Sequence, residues 1–367
     1  MIIPSVIFSQ TINIQRTASP PSVDGTISAG EYSSAENSNS FIQLEPFKGN
    51  SSSVLTKIYS AYDEKFIYFG IICYDPEPDK IVASIQSRDK LSDSDDALFI
   101  ILDTFNDQRS AFVFGINPLG TQTDLRIREN GRNIDEKWDA QWLSAASTTD
   151  SGWVAEFAIP FESVSYNKNI NYWGINFRRI FRRNFETSYW AGPLTYDYQI
   201  SQQGKLQGIE LPKKISTFVF TPYTTFRLEN TEETENENKF NAEVGGDLTI
   251  NMTSSLMANL TYNPDFATVE GDQERINLSR YELSYPEKRL FFMEGNELYS
   301  TRIRTFYSRR IGDIDYGAKV TGKISDYSIS SLFTRSPRID TNIVDYFSTV
   351  RVQKDIFKSS SVGFTFA

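Results

Sequence analysis

Histidine is absent from the 367 residues and cysteine occurs once, at Cys73. The first absence removes His-based triads, His metal sites and His general bases. The second leaves neither a disulfide nor a Cys-rich metal site within one chain. In FGIICYD the lone thiol reads as a buried strand residue. No stretch approaches the ~20 apolar residues of a membrane helix, so any bilayer crossing must be made by strands closed into a barrel. Long helix-periodic apolar patterns are missing as well. The formal net charge of −10 argues against nucleic acid as a partner. An enzyme built on this chain would have to run on carboxylates, Ser, Thr, Tyr, Lys or Arg.

What is present is aromatic and alternating: 27 Phe and 19 Tyr in a chain that reads as almost all β. From Phe240 to Ile250 the even positions are apolar or small (Phe240, Ala242, Val244, Gly246, Leu248, Ile250), and the odd ones are nearly all polar. After a turn at Asn251–Thr253, Leu256, Ala258, Leu260 and Tyr262 face one way and Asn259, Thr261 and Asn263 the other. A period of two builds a hairpin with one greasy face. Each arm has about the length that a tilted strand needs to cross a bilayer. A soluble sandwich with one buried face would show the same alternation. The neighbours extend the pattern: Phe218, Phe220, Phe226 and Leu228; Tyr316–Ile324; Val344–Val352; Ser360–Phe366. Short turns at Ser325-Asp326 and near Asp355–Lys358 alternate with the acidic loop Glu229–Lys239, the habit of outer-membrane barrels.

The first half has a different texture. Met1–Gln10 resembles the tail of a secretory signal peptide, so residues 1–16 read as an N-terminal segment and the protein as exported; a frayed apolar terminus is the alternative. From Thr17, strands follow at short spacing. Val54–Tyr62 and Phe66–Tyr74 flank Asp63-Glu64-Lys65; Ser110–Asn117 and Thr121–Arg128 flank Pro118-Leu119-Gly120. Ala97–Asp103 is nearly all apolar, as a strand covered on both faces would be. With Trp153–Pro160 and Tyr172–Phe181 this completes a sandwich pattern over residues 17–212, and Leu211-Pro212-Lys213-Lys214 reads as the boundary. Residues 213–367 then read as an antiparallel outer-membrane-type β-barrel region. Residues 265–304 interrupt it as an outer loop, a plug folded into the lumen, or a periplasmic excursion.

On these residues the chain resembles a two-part architecture. VDGTISAGEY, AYDEKFIYFGIICYDPEP, DDALFIILDTFNDQRSAFVFGINPLGTQTD and GWVAEFAIPFESVSY resemble the family 9 carbohydrate-binding-module-like domain. YNPDFATVEGDQERINL, PEKRLFFMEGNELY and FYSRRIG are similar to the DUF5916 family of exported bacterial proteins. The first resemblance implies a sugar ring held between two tryptophans, with Trp190 in SYWAGP at one position; the other falls near Asp93, where no aromatic stands. It also implies calcium, for which Asp93, Asp95 and Asp96 offer oxygen ligands in a turn–strand–turn segment that also holds Asp103 and Asp107; a solvated acidic turn is the alternative. The second resemblance implies a longer barrel, which is therefore expected to be incomplete in this chain.

Two further clusters invite a binding reading. Trp138 and Trp142 in KWDAQW, four apart on one face of a strand, would form a carbohydrate platform or else pack in the core. Arg178, Arg179, Arg182 and Arg183 suit a phosphate or an anionic glycan, or pair with the acidic turns. No motif singles out a carboxylate pair for glycoside hydrolysis, so no catalytic residue is nominated. The reading is a carbohydrate-binding protein of the cell envelope, its barrel surrounded by outer-membrane lipid. A glycoside hydrolase and a structural envelope protein are the alternatives.

Overall fold

The computed structural model describes residues 10–32, 34–38, 41–91, 93–212, 217–229, 239–264, 266, 283, 285, 287–293, 299, 305–338, 343–356 and 360–367. The signal-like residues 1–9, the acidic loop 230–238 and most of 265–304 lie outside them. Contacts divide the chain into two units, Met1–Lys213 and Lys214–Ala367.

The first unit holds β1 (Thr11–Asn13), β2 (Ser34–Ser38), β3 (Ile42–Glu45), β4 (Thr56–Tyr62), β5 (Phe66–Tyr74), β6 (Ala97–Asp103) and β7 (Ala111–Ile116). It continues with β8 (Gln122–Arg128), β9 (Asn133–Asp135), β10 (Leu143–Thr149), β11 (Gly152–Pro160), β12 (Tyr172–Phe181), β13 (Glu186–Tyr189) and β14 (Gly204–Gln207). One sheet runs β1-β14-β12-β6-β7-β8-β9, with β13 attached to β12 and β3 to β13; the other runs β10-β11-β5-β4-β2. Their inner faces share one core. Ile58, Phe69, Ile71, Trp153 and Phe157 of the smaller sheet meet Ile100, Phe114, Trp173, Ile175 and Phe177 of the larger. The Phe69 and Phe177 rings cross at 5.7 Å, edge to face. A second cluster covers the other face of the larger sheet, where Phe99, Ile101, Val113 and Ile180 pack under Leu194, Tyr198 and Ile200. Hence every residue of β6 is buried, as its unbroken apolar run predicts.

The turns are set by side chains. Asp63 Oδ1 accepts from the backbone N–H of Lys65 and of Phe66, each at 2.7 Å. Asn117 Oδ1 accepts from the N–H of Leu119 and Thr121, with Gly120 in the left-handed region between them. Both are Asx-type closures of a hairpin.

The second unit holds β15 (Thr217–Glu229), β16 (Lys239–Asn251), β17 (Leu256–Tyr262), a short helix α1 (Leu290–Met293), β18 (Tyr316–Ile324), β19 (Tyr327–Pro337), β20 (Val344–Ile356) and β21 (Ser360–Phe366). The strands form one antiparallel meander in chain order. Among the described residues β15 and β21 are its two edges, so no closed barrel is shown. One end of the sheet carries the connections 252–255, 325–326 and 357–359; the other carries 230–238, 263–315 and 338–343. No helix among the described residues is long and apolar enough to cross a membrane, which leaves strands untouched by the statement.

Candidate functional site

The three tryptophans expected at a sugar site are spent on packing. Trp190 is 4% exposed; its ring meets Phe177 edge to face at 5.8 Å. Its far side abuts Gly204, where an added Cβ would come within 2.3 Å of the indole Cζ3. KWDAQW is no strand but an irregular run between β9 and β10. Trp138 packs on Phe112 and Phe114 at 4.8 and 5.7 Å. Trp142 stacks on Phe157 at 5.6 Å with the planes 4° apart. Trp190 and Trp142 are buried, and Trp138 is half-buried against the core.

The aspartates do not converge. Asp95 accepts from Ser84 N–H and Oγ–H, both at 2.8 Å, from Ile85 N–H at 2.9 Å and from Asn117 Nδ2 at 3.0 Å. Asp96 accepts from the N–H of Val82 at 2.8 Å and of Arg182 at 3.2 Å. Asp93 is turned outward and pairs with Arg178 at 2.9 Å. The expectation of calcium at Asp93, Asp95 and Asp96 is thus corrected: these carboxylates serve protein donors, whereas a calcium ligand aims its oxygens at one shared cation. Among the described residues no group of three or more such side chains is arranged to hold a metal.

The arginines pair with acidic turns and carbonyls. Arg178 binds Asp93 and Asp197 and lies over the Phe99 and Tyr198 rings at 5.1 and 5.3 Å. Arg179 donates to the Leu55 and Tyr74 carbonyls and to Thr56 Oγ1, and Arg183 pairs with Asp75.

Two buried acids were missed by reading the sequence. Glu156 on β11 accepts from Tyr32 Oη at 2.9 Å and from the N–H of Gly25 and Asp24 at 2.8 and 3.1 Å. It pins the Asp24-Gly25 turn, so the VDG motif is structural here. Burial raises its carboxyl above the usual range, against those three donors. Asp124 on β8 accepts from Trp142 Nε1 at 2.9 Å, Ala140 N–H at 3.0 Å and Arg88 Nη2 at 2.6 Å. Burial pushes it up to about 6, opposed by the same three donors. Beside this hub opens a cleft of about 570 Å³. Phe66, Leu143 and Pro160 supply apolar surface, Trp142 an edge, and Arg88, Asp139 and Gln141 the polar groups. Arg88 also donates to Asp139 at 2.8 Å, so a donor and an acceptor stand together over an apolar floor.

In the second unit burial is inverted. Directly paired residues share a face, and the outward rows read Phe218–Ile250–Ala258–Val320–Ser331–Val350–Phe366 and Phe220–Leu248–Leu260–Ala318–Phe333–Ser348. Phe220, Leu260, Phe333 and Phe366 are exposed, from 38% for Phe333 to 66% for Phe220. The opposite face carries Asn259, Thr261, Lys319, Thr321, Ser330, Thr334 and Thr349, all buried, with Thr334 and Thr349 at 0%.

The molecule is therefore an all-β protein of two units, a sandwich and a meander with its apolar face outward. Residues 217–334 match the model of DUF5916, a domain of unknown function, so the second unit carries a DUF5916 region. No curated protein matches the chain. Among solved structures the chain is similar to a carbohydrate binding module family 9 from Caldicellulosiruptor kristjanssonii. In complex with cellotriose that module is 15% identical, covering 54% of this chain and 93% of its own, with a TM-score of 0.39. In complex with glucose it is 16% identical over 56% and 99%, with a TM-score of 0.40. A candidate carbohydrate-binding protein from Bacteroides uniformis ATCC 8492 is 12% identical over 54% and 98%, with a TM-score of 0.42.

Proposed function

We propose that this is an exported outer-membrane protein of a Gram-negative-type envelope. Its second unit supplies part of a lipid-facing barrel wall, and its sandwich captures a glycan. The carrying observation is the inverted burial: phenylalanines outward, lysine and threonines inward. A soluble sheet buries its apolar face and wets the polar one. Side chains such as Phe each hide about 150–250 Å² when covered, so these rows exceed the few hundred Å² that soluble monomers leave exposed. Lipid is the cover that fits.

The dimensions agree. At one end of the outward face Tyr262, Tyr316, Arg335 and Tyr346 stand in register, with Arg335 over the Tyr316 ring. At the other end Ile324 pairs with Tyr327 and Tyr327 with Lys354, whose ammonium lies 5.1 Å from that ring. Tyr316 and Ile324 bound β18, a strand of nine residues. At ~3.4 Å per residue and a tilt of ~40°, the rows are roughly 21 Å apart in height, near the ~25 Å apolar band of such barrels. Aromatic and basic side chains suit its two rims.

The glycan reading rests on the cleft beside Asp124, where apolar surface from Phe66, Leu143 and Pro160 adjoins Arg88 and Asp139. Sugars are held by such pairing of C–H surface with fixed polar groups.

The first test is heat-modifiable migration. Detergent-extracted protein from the outer-membrane fraction is expected to run faster unheated than boiled. A protein recovered in the aqueous fraction, with no shift on boiling, would sink the membrane reading.

A further inference from the structure

Four buried side-chain groups on the inward face have no hydrogen-bond partner: Asn259 Oδ1, Thr261 Oγ1, Ser330 Oγ and Thr334 Oγ1. They are contiguous. Thr261 pairs with Gly317 and Gly317 with Thr334; Asn259 lies opposite Lys319, and Ser330 opposite Thr321. Hydroxyls and amides of this kind are satisfied by water once they are uncovered. The patch therefore suits a wet space.

Residues 287–293 and 305–315 lie over that face. They form a body of their own around Arg289, which grips Glu287 through two bonds of 2.8 Å. The same guanidinium donates to the carbonyls of Ile311, Gly312 and Ser308. Both charges are buried, and an excess of satisfied bonds holds the body together. It docks on the sheet through both polar and apolar contacts. Lys319 Nζ donates to the Phe291 carbonyl at 2.8 Å, and the Phe291 ring sits on Gly317, where an added Cβ would meet it at 2.7 Å. Leu332 and Phe347 pack against the same cluster, and Ser336 Oγ donates to the Asp313 carbonyl at 2.6 Å.

We propose that the inward face lines a water-filled conduit for small hydrophilic solutes, and that the body around Arg289 is a plug that occludes it. The inference rests on the barrel reading above. A wall of hydroxyls and amides offers bonds to many polar solutes without binding one tightly, which passage requires. A plug held together by the Arg289 bonds can move as a unit once its contacts with the sheet are broken.

The test is single-channel conductance of the full chain in planar bilayers in KCl, run beside heat-modifiable migration. Gly317→Val places a wedge under Phe291; Lys319→Met removes the bond to its carbonyl while keeping the side chain's length. The wild type is expected to conduct little, and both variants severalfold more, with heat-modifiability unchanged in all three. Equal conductance in the wild type and both variants, with heat-modifiability intact, overturns the plug but keeps the barrel. Loss of heat-modifiability in the wild type itself overturns the barrel reading and the conduit with it. Should Gly317→Val alone fail to fold, Lys319→Met decides.

Discussion

Trp190 and Asp139 sit at opposite extremes of what a side chain can do for binding. The indole is walled by Phe177 on one side and by the Gly204 backbone on the other, so its area is already committed to the core. Asp139 stands in solvent at the rim of the cleft and is bonded to Arg88. Trp190→Ala is expected to cost about 3–5 kcal/mol, as large-to-small changes of core aromatics do. Asp139→Ala and Leu143→Ala, both at exposed positions, should stay within about 0.5 kcal/mol of the wild type. Urea denaturation of the three variants, read beside a glycan array, separates the roles. The rim variants are expected to lose the glycan signal while keeping the midpoint. If Trp190→Ala kept the midpoint and lost the glycan, the indole would be at the ligand and the cleft would be the wrong place. None of this contrast is visible in the sequence. SYWAGP looks the same whether its indole faces sugar or Phe177, because the partners that decide it come from β12 and β14. The acidic turn is similar: the Ser84 and Asn117 donors that absorb Asp95 lie 11 and 22 residues away in the chain.

At the scale of the element the sequence was more legible. Apolar runs bound β6, strand spacing bounds β5 and β12, and period-two patterning bounds β18 and β21 at the residues where the strands run. It overlooked β19, whose Ser-rich stretch contains Leu332 on the polar face; that leucine breaks the alternation because it packs against the body around Arg289. Parity tells which residues share a face but not which face meets water. That depends on what covers each side, and here the cover of the polar side comes from distant residues such as Phe291 and Ile311. The two faces of the sheet should therefore answer a charge oppositely. Val320, mid-strand and outward, is four residues from either rim. Val320→Arg is expected to destabilise the wall by about 2–4 kcal/mol in liposomes, the cost of an arginine near the bilayer midplane. Val219→Lys, on the inward row and already half exposed, should be nearly neutral. Urea titration followed by the gel shift measures both. A neutral Val320→Arg would mean that this row does not face lipid.

For the whole molecule, the meander also sets a direction. Thr217 pairs with Asn251, which leads directly into the 252–255 turn. The chain therefore enters the wall at the end that carries the short connections, and in outer-membrane barrels the short turns face the periplasm. If the second unit is such a wall, residues ahead of Thr217 are expected on the periplasmic side, and a glycan captured there would be one found inside the outer membrane. The long connections 263–315 and 338–343 leave from the opposite end. Protease added to intact cells should cut at the long connections and spare the sandwich, followed with an antibody to the first unit. Permeabilising the outer membrane should then expose the sandwich to cleavage. The converse pattern, a sandwich digested in intact cells while the long connections survive, would reverse the orientation. The glycan would then be one met at the cell surface, and the polar face would have to be read as a path leading inward from it.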